Sequence, residues 1–148
     1  MNLVLRIFLI PIGYIAAIFA ASSVAAIAEW LRAYGPVADD PAALGLTSFV
    51  VLSEWILLFF VLGYKAAIPG LAAIAVAEIF AIRSVLYFCA VGLATAFVVS
   101  LMIEPGGVPP FVAEPAIAAV SGLAGGLAYW VSSGRWSGLR PRTEPAAV

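Results

Sequence analysis

One carboxylate, Glu54, stands in the middle of an otherwise uncharged apolar run, LGLTSFVVLSEWILLFFVLGY, that extends from Leu44 to Tyr64. An ionised acid at the centre of a bilayer costs about 2.5 to 3.5 kcal/mol on insertion scales, so Glu54 must face protein, find a partner or carry a proton. A carboxyl so placed can accept and release a proton, or hold a cation, as access alternates between the two sides of a membrane. It can equally serve as a neutral hydrogen-bonding group that fixes one helix against a serine, threonine or carbonyl of another. Arg83 is the cation that reaches it if the helix carrying Arg83 sits deep enough. The face that Glu54 shares with Thr47, Val50, Val51, Leu57, Leu58 and Val61 offers no second acid or amide, whereas a translocation path needs a polar lining. Assembly is therefore the first expectation for Glu54, and a proton- or cation-coupled transporter or channel is the alternative.

The rest of the inventory is sparse. Histidine is absent and Cys89 is the single cysteine, which removes histidine-ligated haem, Cys/His zinc sites, imidazole-based triads and any intramolecular disulfide. Gly106-Gly107 and Gly125-Gly126 lack the strand-to-helix context and the lysine of a phosphate loop. No catalytic residue, cofactor or metal is expected, and a net charge of -1 gives no basic surface for nucleic acid.

The elements that position Glu54 follow from composition. Of 148 residues, 65% are hydrophobic and 10% charged, against roughly 45 to 50% and 25% in soluble domains. The chain reads as an integral membrane protein whose immediate partner is lipid. Ile7 to Ala28 is an uncharged run of 22 residues, longer than the h-region of a signal peptide and long enough to span. Glu29, Trp30, Arg32 and Tyr34 mark its interface, and Gly35-Pro36 with Asp39-Asp40-Pro41 reads as a polar turn whose acids start the next helix. The second span is 44–64, ending at Tyr64 and Lys65. Ala66 to Gly70, containing Pro69-Gly70, reads as a short connection. From Leu71 to Ile103 few breakers occur, so the third span is predicted over 84–103 with a helical extension from 71. Glu104 to Pro110 forms a loop, and 115–133 is the fourth span, closed by Tyr129 and Trp130. Residues 1–133 are thus one four-span domain, and 134–148 a flexible cytoplasmic tail.

Small residues recur on these helices at spacings that let backbones approach: Gly13 and Ala17 on the first, Gly92 and Ala96 on the third, Gly122, Gly125 and Gly126 on the fourth. Arg6, Lys65, Arg83, Arg135, Arg140 and Arg142 fall on one side of a four-span arrangement and Arg32 on the other, so both termini are predicted cytoplasmic. The expected fold is an all-α, up-down-up-down four-helix membrane bundle, multi-pass in a bacterial cytoplasmic (inner) membrane. The expected function is non-catalytic: an assembly or accessory subunit that packs through its small-residue faces, as a homo-oligomer or within a larger membrane complex.

Overall fold

The computed structural model describes residues 3–37, 39–102 and 114–136, and among them every regular element is helical. These are α1 (Leu3–Val37), α2 (Pro41–Lys65), α3 (Ala67–Ile79), α4 (Val85–Met102) and α5 (Pro115–Ser132), followed by a 3-10 turn at Gly134–Trp136. Four segments are long and apolar enough to cross a membrane: Phe8–Arg32, Pro41–Lys65, Val85–Met102 and Pro115–Ser132. The predicted end of the third span at Ile103, the loop from Glu104 to Pro110, and Arg140 and Arg142 lie outside the described residues.

Local chemistry explains most element ends, including those that differ from expectation. The turn expected to open at Gly35-Pro36 is shorter, because α1 continues through both residues to Val37. A proline in a final turn removes one N–H and leaves the earlier bonds intact. Asp40 then caps α2: its Oδ1 accepts from the Ala42 and Ala43 amides at 3.0 and 3.3 Å, satisfying two of the amides that a helix start leaves free. At the other end Pro69 lacks the N–H that would bond the Lys65 carbonyl, and its ring crowds that carbonyl. The helix accordingly breaks at Ala66 alone, and the connection expected from Ala66 to Gly70 is not formed: α3 resumes at Ala67 with Pro69 in its first turn, where a missing donor costs little.

The continuous helix expected over 71–103 is not formed. It divides into α3 and α4 around Phe80 to Ser84. The Ile82 amide donates to the Ala77 carbonyl at 2.9 Å, the bond of a Schellman motif, and Ala81 takes the left-handed conformation at φ 54° that this motif requires. Glycine is the usual residue there, so an alanine gave no stop signal. The break also resolves the length problem of a 33-residue helix, about 50 Å long, in a ~30 Å hydrocarbon layer.

Packing is centred on α5, which lies between α1 and α4, while α2 packs on α1. Buried clusters join Ala25, Leu58 and Ile117; Ile74, Ala77, Phe88 and Tyr129; and Ile18, Ala66 and Val99. Leu58 is completely buried, yet Leu46, Phe49, Leu52 and Phe60 of the same helix are exposed. Apolar side chains on both faces of a helix are what lipid as solvent permits. Tyr129, expected at the interface, instead stacks on Phe88 inside the molecule at 5.2 Å between ring centroids. Gly134, expected to begin a flexible tail, is buried in the 3-10 turn against Phe88, and the Ser133 hydroxyl donates to the Leu9 carbonyl at 2.5 Å.

Candidate functional site

Glu54 lies half-buried at the middle of α2, on the edge of the stripe carrying Val51 and Leu58. That stripe faces α1, and the neighbouring Trp55 fixes the register: its Nε1 donates to Ser23 Oγ at 3.3 Å, while its ring meets Phe19 edge-on at 5.4 Å. Among the described residues Glu54 has no hydrogen-bond or ion-pair partner. The charged group that acts on it is another acid, Glu29 of α1.

Arg83 is placed elsewhere. It sits exposed in the connection between α3 and α4, and its carbonyl accepts from Trp130 Nε1 at 2.9 Å. Trp130 follows Tyr129, which abuts Gly13 near the start of α1. Glu54 is level with Ser23, ten residues and about 15 Å further along α1. The structure therefore separates Glu54 and Arg83 rather than bringing them together, and the break at Ala81 is the reason: α4 begins after Arg83 and does not carry it into the span.

The small-residue positions do meet one another. A Cβ on Gly92 would strike the Gly122 carbonyl, and one on Gly122 would strike the Gly92 carbonyl and, at 2.7 Å, the Ala96 Cβ. Gly126 is seated against the backbone of Phe88 and Cys89. On the opposite side of α5, a Cβ on Gly125 would stand 3.1 Å from the Ala17 carbonyl oxygen, and one on Gly13 would be 3.1 Å from the Tyr129 ring and closer still to Ser133. All seven residues thus lie where α1, α5 and α4 pack within the chain.

Three features were not legible beforehand. Arg32, read as the helical neighbour of Glu29, is ion-paired with Glu114 at the start of α5. The Tyr14 hydroxyl donates to the Gly63 carbonyl at 2.6 Å, close to the bend between α2 and α3. Finally, a cavity of about 130 Å³ runs between α1, α4 and α5, and Leu62, Ala66, Gly70 and Ile74 also line it. Its lining is apolar apart from a few side chains, among them Tyr14, Thr95 and Ser121. A second groove, beside Trp30, Ser48 and Trp55, lies between α1 and α2, and Glu54 lines neither. Among the described residues no three His, Cys, Asp or Glu side chains come together as a metal site. Comparison of the chain with protein families, with curated proteins and with solved structures finds no match in any of the three.

Proposed function

We propose that this chain is a non-catalytic four-span protein of the bacterial cytoplasmic membrane, threaded up-down-up-down with both termini cytoplasmic, that serves as an assembly or accessory subunit. Its partner is a membrane helix that presents a hydrogen-bond donor or a cation to Glu54. The observation that supports this reading is the isolation of Glu54: a carboxyl at mid-helix, half-buried and without a hydrogen-bond or ion-pair partner among the described residues. In lipid such a group is costly alone and inexpensive once bonded. The threading is supported by contact registers, since Gly126 meets Phe88 while Gly122 meets Ala96, and Gly13 meets Tyr129 while Gly125 meets Ala17. Opposite senses for α5 against α4 and against α1 are what this threading requires.

Assembly through the small-residue faces is the part of the expectation that changes. Those faces are used inside the chain, so the surface offered to a partner is α2, the least buried of the four spans. Transport through Glu54 is the weaker reading, because neither cavity reaches it.

Blue-native electrophoresis in mild detergent tests the proposal. Glu54→Gln, which keeps hydrogen bonding, retains a higher-mass complex, and Glu54→Leu loses it. A Glu54→Leu chain that assembles like the parent sinks the reading, and a pH-dependent ion flux abolished by Glu54→Gln would replace it with transport.

A further inference from the structure

The cavity between α1, α4 and α5 contains an unmet hydrogen-bonding group. Ser121 is 7% exposed, lines the cavity, and its Oγ has no partner. Serines in apolar helices ordinarily return their hydroxyl to a carbonyl three or four residues back, and those around it do. Ser22 donates to Phe19, Ser53 to Val50, Ser100 to Phe97 and Ser132 to Ala128. Ser121 lies seven residues into the 18-residue α5, where water is scarce and an unpaired buried hydroxyl costs about 1 to 3 kcal/mol. A single water needs two to four polar partners, and this lining is almost wholly apolar.

The shape of the cavity narrows the occupant further. On α1 its wall extends from Tyr14 to Ala25, eleven residues and about 16 Å along the axis. A volume of about 130 Å³, close to the ~150 Å³ of an apolar cavity that holds benzene, is distributed along that length. Such a space is long and narrow. It suits a linear hydrocarbon chain better than a fused ring system, and Ser121 adds one donor along its side.

We infer that this cavity is a binding site for a membrane-soluble molecule made of a slender apolar chain with a carbonyl oxygen, which accepts the Ser121 hydroxyl hydrogen. The inference rests on the reading that the four helices span a bilayer, because such a ligand enters from lipid. Two sources share this chemistry: the carbonyl end of a fatty acyl chain, and the carbonyl of a single-ring isoprenoid benzoquinone.

The test uses the full-length protein purified in mild detergent, with two photoactivatable probes, a diazirine-bearing palmitoyl ester and a diazirine-bearing isoprenoid benzoquinone. Saturable labelling by one of them, mapped by mass spectrometry to α1, α4 or α5, is expected, and whichever probe labels identifies the source. Ser121→Ala weakens that labelling roughly three- to tenfold, the worth of one net hydrogen bond. Thr95→Phe, which places a ring in the cavity, abolishes it. Retention of each variant in carbonate-washed membranes, and its melting temperature, show that the bundle still inserts and folds. Absence of saturable labelling by either probe in a membrane-integral parent protein overturns the site alone. Labelling unchanged in both folded variants overturns it too. Release of the parent protein by carbonate overturns the membrane reading on which the site depends.

Discussion

Gly92 and Gly122 exclude a side chain from each other: a Cβ on either would run into the carbonyl oxygen of its partner. This reciprocal contact makes the α4–α5 interface a backbone-to-backbone one, the arrangement that small residues permit between helices in lipid.

Adding a methyl group there forces the helices apart. Gly122→Ala and Gly92→Ala are each expected to destabilise the protein by about 1 to 3 kcal/mol, the usual range for overpacking. Gly45 is the control, since nothing lies within 4 Å of its would-be Cβ. Gly45→Ala is expected to be neutral, or stabilising by up to about 1 kcal/mol through helix propensity. Unfolding titrations with SDS in mixed micelles measure all three, and equal effects at Gly45 and Gly122 would contradict the packing described.

The break between α3 and α4 depends on a residue in the left-handed region. Ala81 at φ 54° bears a steric cost of roughly 1 to 2 kcal/mol that glycine avoids. Ala81→Gly is expected to raise stability, by somewhat less than that cost because glycine also loosens the unfolded chain. A lower melting temperature for the variant would argue that α3 and α4 form one helix.

Tyr14 ties α1 to the end of α2 through the Gly63 carbonyl. Tyr14→Phe keeps the ring, which a Cβ on Gly70 would approach to 3.3 Å, and removes only the hydroxyl. The expected loss is about 0.5 to 1.5 kcal/mol, read in the same titration. A double variant carrying Tyr14→Cys and Gly63→Cys in one chain, with Cys89→Ser, should cross-link internally with a bifunctional reagent, and failure to do so would count against the proximity of the two positions.

The number and class of the long elements were readable from composition. The apolar runs expected over 7–28, 44–64, 84–103 and 115–133 each overlap a helix long enough to span, Phe8–Arg32, Pro41–Lys65, Val85–Met102 and Pro115–Ser132, because apolar length alone meets the requirement that each backbone be satisfied within its own segment. The small residues Gly13, Ala17, Gly92, Ala96, Gly122, Gly125 and Gly126 were singled out from spacing, and they stand at the contacts of α1, α4 and α5. Spacing could not say whether those contacts lie within one chain or between chains. The Schellman stop at Ala81 was hidden for a simpler reason: alanine is the best helix former, and only the fold holds it at positive φ.

For Glu54 the division is sharp. Sequence by itself established that one acid lies at the middle of an apolar span and that this is expensive, since the cost of an ion in hydrocarbon depends on depth along the helix. Tertiary structure decided what stands beside it and what does not: Trp55 bonded to Ser23 next to it, and Arg83 held about 15 Å away in register by Trp130. It also decided that Ser121, one of many serines in the chain, is the one left with a buried and unpaired hydroxyl among the described residues. Partners and cavities arise from how helices are rotated and bent against one another, and a bend set by Pro69 or a turn at Ala81 alters them without changing the apolar pattern that marks the spans.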